Sequence, residues 1–135
     1  MQPFNLVIIE GNVVSKPNLK KSTNGKFYSY FPVASNHFYK ANDAWVNEPT
    51  FINIQCWGHL AQIVADTCDK GEKIIVYGKL RLYSKPTETG KQDFLYLVAN
   101  KIERFSNGEK NSIEENQDSV DIDDQIITIE EEVPA

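Results

Sequence analysis

The 135-residue sequence has few of the residues on which most enzymes and metal sites depend. It contains two histidines and two cysteines, and neither cysteine has a CxxC partner or a nearby histidine. This pattern argues against a zinc site, a Ser-His-Asp triad and a Cys-His pair. No glycine loop has the spacing that cradles a phosphate, and the carboxylates outside the C-terminal region are scattered singly. We therefore expect no catalysis, no metal and no cofactor.

Long apolar runs are also missing. The N-terminal segment MQPFNLVIIEGN has no basic start, and its apolar run is too short to span a bilayer or to act as a signal peptide. Cys56 and Cys68 fall on an inward strand position and on the apolar side of a predicted helix, which favours buried free thiols over a disulfide. The length allows one domain with its own core. These features predict a soluble, cytoplasmic protein.

The charges are divided unevenly along the chain. Residues 1–108 hold 13 Lys and Arg against 9 Asp and Glu, a balance of +4, whereas residues 109–135 hold one Lys against 10 acids, a balance of −9. The whole-chain value of −5 therefore hides a basic module followed by an acidic tail. A basic module is compatible with a polyanionic partner.

Periodicity and turn residues predict an all-β architecture. Turn signals at Asn24-Gly25 and at PTETG separate strand-like runs, Gly11-Asn12 indicates a bulge or bend, and Gly78 indicates a barrel bend. The predicted strands are 5–14, 26–35, 51–57, 72–85 and 92–105, with a helix over 60–68 and a polar loop over 36–50. Five strands with one helix between the third and the fourth predict a Greek-key OB-fold barrel.

The composition changes after Phe105, where aromatic residues stop and Asn, Ser, Glu, Asp and Gln dominate. Such a segment cannot bury enough apolar surface to fold alone. We expect a domain over 1–105 and a disordered acidic tail over 106–135. The closing QIITIEEEVPA is either a short recognition segment for another protein or simply a disordered end.

Two strand segments place aromatic rings on the face opposite the expected core. Successive strand side chains point to opposite faces. The apolar face of PTFINIQCWGHLAQ carries Ile52, Ile54 and Cys56, and we assign Phe31, Ile75 and Leu80 to the core as well. The other face carries Phe51, Asn53, Gln55 and Trp57. In the segment KFYSYFPVAS, Tyr28 and Tyr30 lie on the outward face. These rings indicate either a ligand surface, a sheet buried on both faces or a subunit interface.

Rings interleaved with cations are what a surface for single-stranded nucleic acid needs, since bases stack on rings and lysines follow the phosphates. Each stacked base contributes about 1–3 kcal/mol with little dependence on sequence. Trp45, in the predicted loop, is assigned to partly covered surface. The candidate nucleic-acid-binding residues are Tyr28, Tyr30, Tyr39, Phe51, Asn53, Trp57, Tyr83, Lys20, Lys21, Lys40, Arg81 and Lys85.

The segments NLVIIEGNVVSKPNLK, FPVAS, FINIQCWGHLAQ, DKGEKIIVYGKL and LVANKIERF resemble the bacterial-type single-stranded DNA-binding protein family in order and spacing. The resemblance extends from Asn5 to about Phe105. It implies an OB-fold that forms a homotetramer and coats single-stranded DNA in replication, recombination and repair. By position, Phe51, Trp57 and Tyr39 match stacking aromatics of the family, and Asn53 stands where a basic residue is frequent.

Two departures from the family pattern are visible. Lys85 stands at a hairpin position that is frequently Trp, and Tyr83, on the same side of the strand, is expected to replace it. The tail lacks the terminal Phe with which family members dock onto repair enzymes, so we expect weakened recruitment of replication and repair proteins. The tail residues concerned are Glu130, Glu131, Glu132, Val133, Pro134 and Ala135.

Two rival interpretations stay open on the sequence. One is an RNA-binding or primosome-accessory OB-fold module, which would use the same surface. The other is a protein-bridging OB domain without DNA affinity, in which the outward rings are subunit contacts.

Overall fold

The computed structural model describes residues 3–106 and 109–114. Seven strands and one helix occur in these residues: β1 Val7–Val13, β2 Asn18–Lys21, β3 Phe27–Ala41, β4 Ala44–Trp57, α1 Gly58–Thr67, β5 Lys73–Thr87, β6 Gly90–Ser106 and β7 Glu109–Glu114. Strands β1, β5, β6, β4 and β3 are neighbours in that order, and β1 also pairs with β3. These five strands therefore close into a barrel. The barrel and its single helix between β4 and β5 confirm the predicted OB-fold architecture.

The barrel core lies on the inner faces of the five strands and beneath α1. Phe31 and Ile54 are fully buried there, as predicted, and Ile52 packs against the same cluster. Ile75 and Leu80 do not belong to it. Ile75 alternates with the buried Ile74 and Val76 and so lies on the outer face. Leu80 lies where the β5–β6 hairpin extends past the barrel.

Two glycines stand where the barrel strands approach one another most closely. The β5–β6 register shifts between Tyr77 and Gly78, and a Cβ on Gly78 would lie 2.1 Å from the Val98 carbonyl oxygen. The predicted bend at Gly78 is thus confirmed as a bulge. The β1–β5 register runs through Gly11 without a shift, so of the predicted bulge or bend at this position the bulge is absent. Gly11 instead lets β3 approach, since a Cβ would lie 2.5 Å from the Ala34 carbonyl oxygen.

The predicted polar loop over 36–50 is in fact the outer half of a long β-hairpin. Strands β3 and β4 pair without interruption to Ala41↔Ala44, and the turn residues Asn42 and Asp43 have φ of 50° and 63°. Positive φ at both central residues is the geometry of a two-residue hairpin turn, which Asn and Asp tolerate. The polar composition of this segment predicts a loop because the strand pair is exposed on both faces and so needs no apolar residues on either. We call residues 36–49 the hairpin arm.

A second short hairpin occupies the connection between β1 and β3. Lys21 pairs with Phe27 across a turn in which Gly25 has φ of 86°, which confirms the turn predicted at Asn24-Gly25. Strand β2 itself, Asn18–Lys21, is not among the predicted strands. It adds an exposed edge strand beside β3.

The chain continues the sheet beyond the predicted domain boundary at residue 105. Strand β7 pairs antiparallel with β6, from Ser106↔Glu109 to Lys101↔Glu114, and Ile113 packs against the barrel core. The predicted disorder is therefore wrong for 109–114, because one apolar residue and an open edge of β6 suffice to attach a strand. The rest of the predicted tail, residues 115–135, lies outside the described residues.

Helix α1 covers one end of the barrel and is tied to it by Arg104. The guanidinium donates to Glu72 at 2.6 and 2.9 Å and to the Thr67 carbonyl oxygen at 2.9 Å, and the Glu72 hydrogen bonds raise the Arg104 pKa. Cys56 and Cys68 form no disulfide and are buried, as predicted. Over residues 3–106 and 109–114, no helix has the length and apolarity needed to cross a membrane.

Candidate nucleic-acid interface

The β3–β4 ladder gives the molecule one continuous outer face that runs from the barrel to the tip of the hairpin arm. Directly opposed residues of an antiparallel pair lie on the same face, and every second pair shares it. The pairs on the outer face include Tyr28↔Trp57, Tyr30↔Gln55, Pro32↔Asn53, Ala34↔Phe51, Phe38↔Asn47 and Lys40↔Trp45. The two ends of this face differ sharply in exposure.

The barrel end of the face is closed by its own rings. Trp57 is 1% exposed and Tyr28 is fully buried, with ring centroids 5.3 Å apart, and both pack against Val98. Their predicted contact with bases therefore has no exposed ring surface to support it in this structure, and it stays a prediction. They do lie on the outer side of the sheet, but β2 and β6 flank them and neighbouring rings cover them. A ring without exposed surface offers no platform to a base.

The covering rings come from the β5–β6 hairpin and from β3. Tyr83 stacks on Tyr96 with centroids 5.5 Å apart, Tyr96 meets Tyr30 edge-on at 6.4 Å, and Tyr30 stacks beside Tyr28 at 6.2 Å. Burial raises the pKa of Tyr96, while a side-chain hydrogen bond with Tyr83 opposes that shift. We call Tyr28, Tyr30, Trp57, Tyr83 and Tyr96 the aromatic cluster. Tyr83, predicted as a stacking residue, is half-buried within it.

Gln55 fixes the orientation of Trp57 inside this cluster. Its side chain is fully buried, and its Oε1 accepts a hydrogen bond of 3.0 Å from the Trp57 Nε1–H. A buried indole N–H needs such a partner, because an unpaired donor costs about 1–3 kcal/mol. Gln55, on the same strand, thus supplies the acceptor that the buried Trp57 N–H needs, which indicates a structural role for the ring.

The arm end of the outer face is open. Phe51 is 62% exposed, Phe38 60% and Trp45 72%, and all three belong to the same face of the ladder. The exposed Lys40 stands opposite Trp45. The outward position of Phe51 agrees with the prediction. Trp45 is not among the predicted site residues, because the polar composition predicts a loop there and a strand pair without a buried face shows no apolar alternation that would have placed it.

Tyr39 has a different position from the one expected. It pairs with Val46 and therefore lies on the face of the ladder opposite to Phe51. Its ring is 39% exposed and stacks on His37 with centroids 5.9 Å apart. The arm consequently carries rings on both faces. Phe38 and Trp45 lie on the outer face, and His37 and Tyr39 lie on the opposite face.

The predicted cations are spread around the outer face. Lys20 and Lys21 are exposed on β2, with their ammonium groups 5.4 Å from the ring centroids of Tyr30 and Phe27 respectively. Arg81 and Lys85 are half-buried on β5, on the same side as Tyr83 by strand alternation. Lys20, Lys40, Arg81 and Lys85 thus place positive charge beside the outer face, whereas Lys21, which pairs with Phe27, lies on the opposite face of the sheet.

A recess of about 410 Å³ opens between β2 and the β3–β4 ladder. It is lined by Ser15, Lys16, Asn18, Lys20, Tyr30, Pro32 and Asn53. Three predicted site residues, Lys20, Tyr30 and Asn53, thus meet in one place although they come from three strands. We call this feature the Tyr30 recess.

Within residues 3–106 and 109–114, no group of three or more His, Cys, Asp or Glu side chains is placed to hold a metal ion.

Comparison with known proteins places this architecture in a family. Residues 4–105 match the Single-strand binding protein family. Single-stranded DNA-binding protein 2 of Streptococcus agalactiae serotype III (strain NEM316) is 31% identical over 133 residues, which cover 97% of this chain and 98% of the relative. The Single-stranded DNA-binding protein of Fusobacterium nucleatum is 30% identical over 101 residues, covering 74% of this chain and 66% of the relative.

Two solved structures share the fold. The small single-stranded DNA-binding protein from Streptomyces coelicolor superposes with a TM-score of 0.63 at 20% identity, covering 77% of this chain and 95% of that one. A Plasmodium falciparum SSB complex with ssDNA superposes with a TM-score of 0.66 at 16% identity, covering 86% of this chain and 98% of that one. The family match over most of the barrel and the relative of nearly equal length lead to one conclusion: this chain belongs to the Single-strand binding protein family.

Proposed function

We propose that this protein binds single-stranded DNA without catalysis and protects it during replication, recombination and repair. The observation that carries the proposal is the open end of the outer face, where Phe51 lies exposed on the same face as Phe38 and Trp45 of the hairpin arm, next to Lys40. Flat rings beside a flexible cation suit a strand whose bases are unpaired. The relatives named above are themselves described as single-stranded DNA-binding proteins. Because the proposed partner is replicating DNA, we place the protein in the cytoplasm.

The proposed binding mode combines stacking with phosphate contacts. At about 1–3 kcal/mol for each stacked base, the three exposed rings supply roughly 3–9 kcal/mol before any ion pairing. Because every base has a π-face, this part of the interface is tolerant of sequence. The buried rings of the aromatic cluster, Trp57 and Tyr28, then act as a rigid support for the arm and not as a stacking platform.

The test is equilibrium binding of the full chain to a labelled oligo(dT), followed by fluorescence anisotropy over a range of salt concentrations. We expect saturable binding, preference over duplex DNA, and a fall of log K with log salt of about 0.7 for each phosphate contact. Binding to RNA in preference to DNA would favour the accessory-module interpretation. Absence of any nucleic-acid binding at low salt would contradict the proposal and favour a protein-bridging domain.

We also propose that the chain self-associates, with the homotetramer as the expected assembly. Leu6, just before β1, is 65% exposed and Ile8 on β1 is 54% exposed, and Ile8 pairs with the half-buried Tyr77 of β5. Exposed apolar side chains close together on a small protein are typical of an interaction surface. Sedimentation equilibrium measures the mass, and Leu6→Glu combined with Ile8→Glu should reduce it. A monomeric wild type would contradict the tetramer.

For the acidic tail we propose competition with DNA for the basic surface, and contact with replication and repair proteins through Glu130–Ala135. Residues 115–135 hold eight Asp and Glu and no Lys or Arg. Their deletion should strengthen DNA binding most at low salt, where charge interactions are least screened. The deletion begins at 115 because β7 belongs to the sheet. Equal affinity of both forms at low salt would contradict the competition.

A further inference from the structure

We propose that the Tyr30 recess binds one nucleotide of the bound strand and contacts the edge of its base, which adds a base preference to an otherwise sequence-tolerant surface. This inference rests on the proposed function, since it assumes that single-stranded DNA reaches the outer face. The recess has the size of a small-molecule site, for which roughly 300–1,000 Å³ is typical. It therefore has room for a base together with its sugar.

Tyr30 supplies a fixed ring at the recess. The ring is half-buried, lies beside Tyr28 with an interplanar angle of 6°, and meets Tyr96 at 74°. Neighbours on two sides thus hold it in place, so that stacking of a base on it costs little side-chain entropy. Among the rings of the aromatic cluster, Tyr30 is the one that lines the recess.

Lys20 supplies the charge. Its ammonium lies 5.4 Å from the centroid of the Tyr30 ring, on an exposed edge strand. A base that stacks on this ring takes over the face that Lys20 covers, and the flexible side chain can then turn to the adjoining phosphate. The free protein thus keeps the ring covered, and the bound strand receives both contacts.

Asn18 and Asn53 supply hydrogen-bonding groups for a base edge. Both side chains are exposed in the recess, and within the described residues neither amide takes part in a hydrogen bond. Asn47 differs, because its amide donates to the Asn36 side chain at 3.1 Å. A side-chain amide offers a donor and an acceptor side by side, which is the pattern presented by the edge of an unpaired base.

The wall of the recess is already fixed before any ligand arrives. Lys16 donates to the Cys68 carbonyl oxygen at 3.2 Å and lies 3.3 Å from an Asp69 carboxylate oxygen. The Val14 N–H donates to the Pro32 carbonyl oxygen at 3.0 Å. These contacts tie the β1–β2 connection to the helix end and to β3. Because this wall needs no rearrangement, only the Lys20 side chain has to move when the ligand binds, and the entropic cost of binding is lower.

The experiment compares the wild type with the double variant Asn18→Ala/Asn53→Ala on labelled oligo(dT), oligo(dC) and oligo(dA) of equal length at one salt concentration. The quantity measured is the ratio of the dissociation constants of the weakest and the tightest oligomer. Loss of hydrogen bonds to a base edge should reduce this ratio by about two- to tenfold. Asn100→Ala is the matched control, because Asn100 is exposed on β6 outside the recess, and it should leave the ratio unchanged.

A second pair of variants tests the phosphate contact. Lys20→Ala should lower the slope of log K against log salt by about 0.7, the value of one phosphate contact on a single strand. Lys70→Ala, an exposed lysine after α1, should leave the slope as it is. Thermal unfolding of each variant verifies that the fold is retained.

The outcomes separate the recess from the wider function. If the wild type binds none of the oligomers, the proposed function fails and the recess proposal fails with it. If the wild type binds them but the double variant keeps the same ratio, or a larger one, the recess proposal alone is overturned. A reduced ratio with an unchanged control supports a base-contacting site.

Discussion

The two tryptophans of this chain lie on the same face of the same strand, but one is buried and the other is exposed. Trp57, at the end of β4 that lies in the barrel, is 1% exposed, whereas Trp45, at the other end of β4, is 72% exposed. Strand alternation is the same for both. The surrounding elements differ. Trp57 is surrounded by β3, β6 and the rings of the aromatic cluster, whereas within the described residues Trp45 has only β3 paired beside it. The face of a strand therefore does not by itself decide exposure.

The two ends of the outer face therefore have different roles. A ring enclosed by other rings contributes area burial and stabilises the fold, while a ring in water is available to a base. The barrel end holds the ladder in shape, and the hairpin arm extends that ladder into solvent with its rings uncovered. Substitutions at the two ends should consequently change different quantities.

The largest expected effect is on stability. Trp57→Ala removes a fully packed indole and leaves the buried Gln55 Oε1 without its donor, so it should lower the free energy of unfolding by about 3–5 kcal/mol. Trp45→Ala is the matched control, and as a surface substitution it should change this free energy by no more than about 0.5 kcal/mol. Urea unfolding measures both. Equal losses in the two variants would show that the ends are not structurally distinct.

The next effect is on DNA affinity. Phe51→Ala and Trp45→Ala should each weaken binding to oligo(dT) by about 1–3 kcal/mol without a matching loss of stability. Fluorescence anisotropy at fixed salt measures the affinity.

Phe38 and Tyr39 sharpen this test, because they are adjacent in sequence but lie on opposite faces of the arm. Phe38→Ala should weaken binding by about the stacking value, and Tyr39→Ala should weaken it less. The reverse order would mean that the strand follows the other face of the arm, on which Tyr39 stacks with His37.

How far the sequence predicts this molecule follows from the same contrast. Alternation and turn residues predict the barrel, the helix between β4 and β5 and the bend at Gly78, because each of these is a local property of the chain. Phe51 was placed correctly for the same reason. The burial of Trp57 and Tyr28 was not predicted, because it depends on Val98 of β6, about 40 to 70 residues away in sequence, through a register that no local pattern specifies.

The hairpin arm and β7 were missed for a related reason. Polar residues in 36–49 and after 105 were taken as loop and tail, since a strand without a buried face lacks the alternation of apolar and polar residues that identifies strands. In the arm, pairing with a neighbouring strand holds such segments in place, and a turn at Asn42 and Asp43 allows it. The Tyr30 recess depends on three strands and a connection at once, so only the assembled structure shows it.

The smallest expected effect is spectroscopic, and it separates the two tryptophans directly. These are the two tryptophans of the chain, so each single variant leaves one reporter. In Trp57→Phe, the remaining Trp45 is exposed, and stacking of a base on it should quench its emission when oligo(dT) is added. In Trp45→Phe, the remaining Trp57 is enclosed by the aromatic cluster and bonded to Gln55, so DNA should change its emission little. Strong quenching of Trp57 would mean that the cluster opens on binding, and the division between a supporting end and a binding end would then hold only for the free protein.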